Sequence, residues 1–400
     1  MKTILLISRC PPYPIHLGDR LILWHLAQQL AQRGYTIDLL AFANRPEDHA
    51  DIDHYRQWFR QVTLVDEPRR GYLRRLLWPG ARFPKAAAQS WSPAMWAAIE
   101  AHIQQNRYDL AHLFGGVQVY EFRRALGNLP ALITPYESYS LYLKRALESS
   151  SGLVDPVLIT LRRLIARRYE GWMFTPYART VVVSEADRDE LRGIHPALPI
   201  AVIPNGIDLA YFTPQPVERD PAALLFVGNY EYAPNVDAAL RLAREILPPI
   251  RAQVPEAKLW LVGHAPTPEM QALASESVVV TGRVADVRPY LAQAAAFVCP
   301  LRLGAGIKNK VLEALAMGCP LVATPLSVDG IAVQPGHDAL ITGDADFVEQ
   351  TLRLLGDTEL QRTLSQNGRL LIEAQYSWSH VADLYAALYA AVTTPHSAAT

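Results

Sequence analysis

Short apolar runs rich in branched residues alternate with longer stretches of helical periodicity along this chain, and this alternation restricts the possible folds more than any other feature. Predicted strands in the first half are ILLIS from Ile4, TIDLLAF from Thr36, VTLV from Val62, LAHLF from Leu110, ALITP from Ala131 and TVVVS from Thr180. Those in the second half are ALLFVG from Ala223, KLWLVG from Lys258, VVVTG from Val278, AFVCPL from Ala296, PLVAT from Pro320 and ALITG from Ala339. Several runs are apolar at successive positions, as in strands that helices cover on both faces. The sequence therefore predicts the α/β class, with a doubly wound parallel sheet in each half.

The length of 400 residues predicts two domains, because a single core usually stops growing near ~250 residues. A cleft between two domains is a common binding site. The boundary is expected in VIPNGIDLAYFTPQP from Val202, where Pro204 and Gly206 interrupt the periodic pattern. We therefore predict an N-terminal domain over residues 1–200 and a C-terminal domain over residues 201–378. Residues 379–400 include an amphipathic helical segment that packs on the second domain or returns to the first.

The composition limits the cellular compartment and the classes of binding partner that we expect. The formal net charge of −1 excludes a protein that binds nucleic acid through bulk positive charge. Cys10, Cys299 and Cys319 are widely spaced and form no metal-binding or redox motif, which favours a reducing cytoplasm. The apolar N-terminal stretch ends at Arg9 and is too short for a signal peptide. Since no apolar run approaches the ~18 residues of a membrane span, we expect a cytoplasmic protein whose membrane contact is at most peripheral, at the inner surface.

The net charge near zero is the sum of opposite net charges in the two halves of the chain. Residues 1–200 hold 25 Lys and Arg against 19 Asp and Glu, a net charge of +6, whereas residues 201–400 carry −7. Two stretches of the first half interleave basic with apolar and aromatic residues: LRRLLWPGARFPK from Leu73 and LRRLIARRYEGWMF from Leu161. Such stretches suit an anionic membrane surface or a lipid-diphosphate acceptor. The alternative is a pair of ordinary amphipathic helices with basic outer faces.

The segment PLRLGAGIKNKVLEALAMGCPLVAT, from Pro300 to Thr324, carries the strongest functional signal. It follows a predicted strand, turns through two glycines and opens a helix. Free N–H groups at such a helix start, with two cations beside them, make an anion site suited to a diphosphate. A glutamate in the second turn is placed to accept hydrogen bonds from sugar or ribose hydroxyls. The residues concerned are Arg302, Gly304, Gly306, Lys308 and Glu313. The alternative is two turn-forming glycines followed by a solvated helix face.

A weaker signal follows the first predicted strand. Gly18 directly precedes a predicted helix, for which Asp19 is the expected N-cap. A glycine at this point lets a phosphate approach the helix N-terminus and its dipole. The alternative is an ordinary loop glycine.

Several stretches, read in order, resemble one family. They are PYPIHLGDRLILWHLAQQLAQRGYTIDLL near the N-terminus, SEADRDEL from Ser184, VIPNGIDLAYFTP from Val202, LLFVGNYEYAPNVDAAL from Leu224, LVGHAP from Leu261, VTGRVADVRPYLAQA from Val280, LEALAMGCPLVAT from Leu312 and PGHDALI from Pro335. Together they resemble the retaining glycosyltransferases of the GT-B fold, family 4 (glycosyl transferases group 1). The resemblance covers most of the chain and is densest in the second half. It implies two Rossmann-like domains that face a cleft.

The resemblance also implies the ligands and their residues. A nucleotide-diphospho-sugar is bound mainly by the second domain and an acceptor mainly by the first. Gly18 would approach the donor phosphates, Glu313 would hold ribose hydroxyls, and Arg283 with Val284 would line the nucleobase. The diphosphate and sugar would be cradled by Gly304, Gly306, Ile307 and Lys308. The mechanism implied is front-face displacement with retention, which needs no protein nucleophile, no metal and no cofactor besides the donor substrate.

The chain departs from the family pattern at two places. Typical members carry two glutamates in the donor loop, but Ala305 stands at the first position and only Glu313 remains. Typical members also place an Arg and a Lys after the first strand of the second domain, where this chain has Asn229 and Asn235. Since a diphosphate needs opposite charge, we expect Lys308 together with Arg302 to replace those cations.

Acceptor residues are predicted in the first domain. His112 ends a predicted strand near the position of a family histidine that contacts the sugar or acceptor; the alternative position is Phe114, and the alternative role is a core histidine. Tyr136, Glu137 and Ser138 follow the next strand as polar groups for the acceptor, or else form a helix cap and its first turn.

These inferences predict a glycosyltransferase that uses a nucleotide sugar and a sugar or lipid-linked acceptor, in polysaccharide or glycolipid synthesis. A nucleotide-sugar epimerase on the same fold is one alternative, which requires acid and base groups in place of an acceptor site. A non-catalytic nucleotide-sugar-binding protein is the other, which the missing glutamate and cations favour.

Overall fold

The computed structural model describes residues 2–15, 18–69, 83–148, 156–304 and 306–394. The described residues form two compact units. The first unit takes its residues from 1–144, 154–204 and 378–400, and the second from 145–153 and 205–377. The last helix of the chain therefore belongs to the first unit. Most of the basic stretch that starts at Leu73 lies outside the described residues.

The sheet of the first unit consists of parallel strands. Their bounds are β1 Thr3–Ser8, β2 Thr36–Ala43, β3 Gln61–Asp66, β4 Leu110–Phe114, β5 Ala131–Thr134, β6 Arg179–Val182 and β7 Ile200–Val202. In the part of the chain that the structure describes, these seven strands pair in the order β3-β2-β1-β4-β5-β6-β7. The order reverses between β1 and β4, which makes that junction the topological switch point of the sheet.

Helices connect these strands as crossovers. Their bounds are α1 Gly18–Gln32, α2 Pro93–Gln105, α3 Tyr139–Glu148, α4 Pro156–Met173 and α5 Glu185–Ile194. Short 3-10 turns lie at Pro46–His49, Asp51–His54, Arg56–Trp58, Ala87–Gln89, Gly116–Gln118 and Tyr120–Arg124.

Both faces of the first sheet are covered. Successive side chains of a strand point to opposite faces, and Leu5 and Ile7 of β1 lie in one apolar cluster whereas Ile4 and Leu6 lie in another. The second of these clusters also contains Trp378, Val381, Ala382, Tyr385 and Tyr389, all from the C-terminal helix. The run of consecutive apolar residues in β1 therefore reflects burial on two sides.

The sheet of the second unit is also parallel. Its strands are β8 Asp220–Val227, β9 Lys258–Val262, β10 Val278–Gly282, β11 Ala294–Cys299, β12 Leu321–Ala323 and β13 Leu340–Ile341. Over the described residues the six strands pair in the order β10-β9-β8-β11-β12-β13. The switch point of this sheet lies between β8 and β11.

The remaining helices follow the second sheet. They are α6 Ala233–Arg241, which continues through a π-helical turn at Leu242–Ile246 into α7 Leu247–Arg251, then α8 Pro268–Gln271, α9 Arg288–Gln293, α10 Asn309–Ala316, α11 Phe347–Gly356, α12 Thr358–Gln375 and α13 Trp378–Thr393. A 3-10 turn lies at Pro325–Val328. Helix α13 packs on α1: the His25 and Trp378 rings stack 5.1 Å apart, and Arg33 pairs with Asp383 at 2.8 Å.

The predicted fold class is confirmed, with a doubly wound parallel sheet in each unit. All twelve predicted strands are present among the described residues, with small differences at their ends. Strand β7 was missed because its three half-buried residues stand between Pro199 and Pro204, and prolines argue against a strand. In the part of the chain that the structure describes, we find no helix with the length and apolar character needed to cross a bilayer.

Candidate active site

The loop between β11 and α10 lies at the carboxyl edge of the second sheet, beside its switch point. Ser327 fixes the start of this loop, since its Oγ donates to the Cys299 carbonyl at 2.6 Å and accepts from the Leu301 amide at 3.2 Å. Thr324 Oγ1 donates to the Leu301 carbonyl at 2.7 Å. The chain therefore leaves β11 along a path held by side chains from the following 3-10 turn.

Two glycines of this loop adopt conformations that other residues rarely take. The φ angle of Gly304 is 135° and that of Gly306 is 65°. A Cβ added at Gly304 would lie 3.5 Å from both the Lys308 Cε atom and the Tyr232 hydroxyl. The glycines thus form the turn in which Lys308 can reach back over the loop. The two glycines therefore have the turn-forming role, and their contact with a phosphate remains a proposal.

Lys308 stands at the N-cap position of α10 and is buried, with 9% of its surface exposed. Its ammonium donates a short hydrogen bond to the Gly306 carbonyl. The Lys308 charge therefore lies within the loop, beside the first free N–H groups of the helix. Ile307, between these two residues, packs against the apolar core of the unit.

Arg302 lies in a cluster of charged side chains. Its Nε lies 2.7 Å from Asp344 Oδ2, and its Nη2 lies 3.9 Å from Glu245 Oε2. Both carboxylates also contact Arg241, at 2.7 Å and 3.5 Å, so two guanidinium groups share two carboxylates. That Arg302 helps to replace the missing diphosphate cations stays a prediction.

A different cation lies at the switch point. Lys310 Nζ is 2.5 Å from Asn235 Oδ1 and 4.4 Å from the centre of the Phe226 ring, on β8. Asn235 Nδ2 in turn donates to the Asn229 carbonyl at 2.7 Å. Helix α10 thus delivers an ammonium group to the neutral asparagine that stands where family members carry a lysine. Lys310 is not among the site residues that the sequence predicts. The available signal is its spacing of two from Lys308, which places the two lysines on different sides of the helix start.

Lys310 and Glu313 form a coupled pair one turn apart on α10. Packing around the ammonium lowers the pKa of Lys310 to about 8, while the nearby carboxylate acts in the opposite direction. Burial raises the pKa of Glu313 to about 7, and the charge of Lys310 opposes that rise. Among the described residues, the Glu313 carboxylate has no hydrogen-bond partner. A half-buried acceptor in this position suits the hydroxyl groups of a ligand.

The other predicted donor residues reach the same edge of the sheet from neighbouring strands. Asn229 follows β8, is exposed, and donates from Nδ2 to Glu231 at 3.3 Å. Arg283 and Val284 follow β10; Arg283 is exposed, whereas Val284 packs partly on the core. Because the strands are parallel, these residues lie at the same edge of the sheet as the loop after β11.

A second cluster of polar groups lies at the switch point of the first sheet. Arg9 and Cys10 follow β1; Arg9 Nε lies 3.2 Å from Asp19 Oδ2. Helix α1 begins at Gly18, so Asp19 lies inside its first turn and is not the N-cap that we predicted. A Cβ at Gly18 would have no atom within 4 Å, so this glycine borders open space.

The three predicted acceptor residues have different surroundings. Tyr136 has a φ of 57° and a buried hydroxyl that finds no hydrogen-bond partner in the described structure, and burial raises its pKa well above the usual value. Glu137 is exposed. Ser138 is fully buried, accepts from the Leu141 amide at 3.3 Å and lies 3.3 Å from Glu170. Ser138 therefore caps helix α3, which is the alternative role, and the structure does not support it as an acceptor ligand.

His112 lies in the core of the first unit. It is fully buried, its Nδ1 lies 2.6 Å from the Tyr389 hydroxyl, and its Nε2 lies 2.8 Å from Thr134 Oγ1. Burial lowers the pKa of His112 to about 3. The structure does not support the predicted catalytic role, because both ring nitrogens are engaged and none of the ring is open to a substrate. Phe114, the alternative position, is fully buried as well.

No group of three or more His, Cys, Asp or Glu side chains with metal-binding geometry occurs over the described ranges. The three cysteines are buried, unpaired thiols. The candidate site thus consists of lysines, glycines, amide groups and one carboxylate.

Comparisons with known proteins agree with the motifs. The family model described as Glycosyltransferase Family 4 matches residues 21–211, and the model described as Glycosyl transferases group 1 matches residues 221–357. The alpha-maltose-1-phosphate synthase of Mycolicibacterium smegmatis is 25% identical over 245 residues, which are 53% of this chain and 63% of that enzyme. The match therefore spans less than two thirds of that relative.

Solved structures share the fold over nearly the whole chain. The sucrose-phosphate synthase of Thermosynechococcus elongatus superposes with a TM-score of 0.73 at 22% identity and covers 98% of this chain and 100% of its own. Anabaena Alr3699/HepE, solved in complex with UDP and glucose, superposes with a TM-score of 0.65 at 15% identity. This match covers 98% of this chain and 100% of the HepE chain.

Proposed function

The chain belongs to the glycosyltransferases of family 4 (group 1), and from this membership we propose that it transfers a sugar from a nucleoside diphosphate sugar to a sugar or lipid-linked acceptor with retention of configuration. We place the reaction in polysaccharide or glycolipid synthesis. The second unit holds the donor, and the first unit provides the acceptor groups.

The observation that carries this proposal is the pair of lysines around the switch point of the second sheet. Lys308 lies in the glycine turn, and Lys310 reaches Asn235 beyond the end of β8. Ligands of doubly wound sheets bind beyond the carboxyl ends of the strands at the switch point. Two ammonium groups and the free N–H groups of α10 together provide the positive charge that a diphosphate requires. The structure of HepE with UDP supports a nucleoside diphosphate as the ligand class.

Glu313 supplies the hydroxyl specificity of the donor site in this proposal. Its carboxylate lies on the same helix as both lysines and faces no other hydrogen-bond partner among the described residues. A carboxylate that accepts two hydrogen bonds from neighbouring ribose hydroxyls binds a nucleotide more tightly than its dideoxy analogue.

The chemistry follows from where charge develops. As the bond between the sugar and the diphosphate breaks, negative charge grows on the leaving oxygen, and preorganised cations and N–H groups stabilise it. The acceptor oxygen attacks from the same side, and its proton passes to the departing diphosphate. The protein then supplies orientation and charge stabilisation, without a covalent intermediate and without a metal ion.

A thermal-shift screen over nucleoside diphosphates and their sugar conjugates tests the donor class. A ligand at ~100 times its Kd stabilises a protein by ~2.7 kcal/mol, which is readily measured. We expect one nucleoside diphosphate to shift the unfolding midpoint more than the others. A flat response to every nucleotide would contradict the proposed donor site.

The donor that the screen selects is then incubated with acceptors, with and without EDTA, and the product anomer is read by NMR. We expect the anomeric configuration of the donor to be kept in both conditions. An inverted product would overturn retention, and loss of turnover with EDTA would overturn metal independence. If the nucleotide sugar were isomerised in the absence of an acceptor, the protein would be an epimerase instead.

The role of Glu313 is tested by comparing how one variant binds two ligands. Glu313→Gln should weaken binding of the ribonucleoside diphosphate but leave binding of its 2′,3′-dideoxy analogue nearly unchanged. Equal losses for both ligands would exclude the hydroxyl contact.

A further inference from the structure

Helix α4 exposes a face that is apolar although it points away from the core. Its buried residues line one side of the helix and are Ile159, Ala166, Tyr169, Glu170 and Met173. The other side carries five exposed large apolar residues within nine positions: Val157, Leu158, Leu161, Leu164 and Ile165. With 100° between successive residues, these five fall within about one third of the helix circumference. We call this group the α4 apolar face.

The exposure of the α4 apolar face is large and local. Leu161 exposes 54% of its surface, Leu164 61% and Ile165 43%. Only seven other large apolar residues are exposed in the rest of the described chain, and they are scattered over both units. The exposure of a contiguous group of large apolar side chains to water is unfavourable, so such a group indicates a surface that another molecule covers.

Helix α4 also carries four arginines, which divide into two pairs. Arg163 and Arg167 contact Glu190 on helix α5, at 3.2 Å and 2.6 Å. Arg162 and Arg168 are exposed, and neither forms an ion pair with a described residue. Arg168 lies in the middle of the apolar face by helical angle, whereas Arg162 lies about 40° beyond its edge. Two positive charges are thus presented together with the leucines.

Within α4, Pro156–Met173, no acidic side chain is exposed. Glu170 is the one acidic residue in α4, and it is buried against the amide of Tyr139, whose nitrogen donates to it at 2.7 Å. Helix α4 thus presents exposed apolar side chains and two exposed arginines but no exposed acidic residue of its own, which matches a bilayer surface that has an apolar interior and anionic headgroups. A protein partner needs no such uniform sign of charge.

We infer that the α4 apolar face docks the first unit onto an anionic lipid bilayer. The helix lies in the plane of the interface, with its leucines among the acyl chains and Arg162 and Arg168 at the level of the phosphates. This inference does not depend on glycosyl transfer, since it rests on the exposed face alone. Each can fail without the other.

Vesicle sedimentation tests the inference with the full chain at low salt. The probes are vesicles of phosphatidylcholine alone and of phosphatidylcholine mixed with an equal part of phosphatidylglycerol. We expect the protein to sediment with the mixed vesicles and to remain in solution with the neutral ones. Absence of binding to the mixed vesicles, or equal binding to both kinds, would overturn the inference.

Matched variants locate the contact. Leu161→Ser combined with Leu164→Ser should lower the partition coefficient on mixed vesicles about tenfold or more, and Arg162→Gln with Arg168→Gln should lower it about tenfold. Leu370→Ser is the control, because Leu370 lies on α12 of the second unit with the same exposed fraction as Leu164, 61%. These positions are on the surface, so the unfolding midpoints should stay within about a degree or two of the unaltered protein. Unchanged binding by the double leucine variant would overturn the inference.

Light scattering separates a lipid surface from a second copy of the chain. If the α4 apolar face were covered by self-association, the protein would be dimeric, the leucine variant would be monomeric, and vesicles would not compete. That result would also overturn membrane docking. We expect the unaltered protein and the leucine variant to have the same particle mass, and only the unaltered protein to bind lipid.

Discussion

The ammonium of Lys310 lies 2.5 Å from the side-chain oxygen of Asn235, although 75 positions separate the two residues in the chain. Lys310 lies in the first turn of the helix after β11 and Asn235 in the first turn of the helix after β8, and the two strands are neighbours in the sheet. A positive charge therefore lies at the switch point of the second unit, beside an asparagine that carries none. The first two predictions concern this contact.

Removing the Lys310 charge should weaken donor binding. A charged hydrogen bond contributes ~1.5–3 kcal/mol, so Lys310→Met should lower the affinity for the selected nucleoside diphosphate about 10- to 100-fold. Isothermal titration calorimetry at pH 7 measures the effect. Lys258→Met is the matched control, since Lys258 is exposed at the opposite, amino end of β9. Equal affinities of the Lys310 variant and the unaltered protein would exclude a contact with the diphosphate.

The same lysine should make stability depend on pH in the alkaline range. Its pKa in the folded protein is lowered to about 8 from an ordinary value of 10.5, so the unfolded chain binds the proton more tightly. Stability contributed by neutral Lys310 is complete above pH ~10.5 and is lost as the pH falls through about 8. The stability of Lys310→Met relative to the unaltered protein should therefore increase as the pH is lowered across this window. Urea unfolding at several pH values measures it, and a constant difference would contradict the lowered pKa.

His112 should prove to be structural. His112→Ala removes a buried ring and leaves the Tyr389 and Thr134 hydroxyls without their partner, which should cost ~2–4 kcal/mol of unfolding free energy. Nucleotide affinity should be unchanged, because Lys308, Lys310 and Glu313 belong to the other unit. Chemical denaturation and calorimetry give the two values. A folded His112→Ala protein of normal stability that has lost only transfer activity would restore the catalytic interpretation.

His112 also predicts an acid response. Its pKa is lowered to about 3 from 6.5, so the stability that neutral His112 contributes is present above pH ~6.5 and is lost as the pH falls toward 3. His112→Phe keeps a ring but does not titrate. The stability difference between the unaltered protein and this variant should shrink as the pH is lowered from 7 to 4, and a difference that is independent of pH would count against burial as the cause.

Gly263 should tolerate no side chain. It follows β9 with a φ of 151°, and an added Cβ would lie only 1.8 Å from the Gly228 carbonyl oxygen. Gly263→Ala should lower the free energy of unfolding by about 3 kcal/mol or more, because the loops after β8 and β9 must separate. Gly343→Ala is the control, since a Cβ there meets nothing within 4 Å. Similar midpoints for the two variants in thermal unfolding would disprove the close approach.

Local patterns predicted the strands well. Each of the twelve predicted runs is a strand. Most of them are buried, because consecutive branched apolar residues satisfy the burial of both faces without information from elsewhere in the chain; β3, whose residues are half-buried or exposed, is the main exception. Strand β7 does not show this pattern, because its three residues are only half-buried and lie between Pro199 and Pro204. Asp19 shows the limit at helix ends: a good N-cap residue type lies one position inside α1, since the helix already begins at Gly18.

Side-chain roles were harder to predict than strands. Arg302, Lys308 and Lys310 are all basic and lie within nine positions, yet one pairs with Asp344, one bonds the loop carbonyl of Gly306 and one reaches Asn235. Composition and spacing do not distinguish these outcomes. The direction in which each side chain leaves its helix or loop, and the groups that meet it there, decide its role.

The sequence by itself determined the two parallel sheets, the position of the glycine turn after β11 and the family to which its motifs point, because each of these follows from short-range patterns of residue type. Tertiary structure alone decided that Lys310 supplies the charge at the switch point and that His112 is a core residue bonded to Tyr389, 277 positions away. The physical reason is the same in both cases. Desolvation and hydrogen bonding depend on which groups meet in space, and sheet order, not sequence distance, brings those groups together.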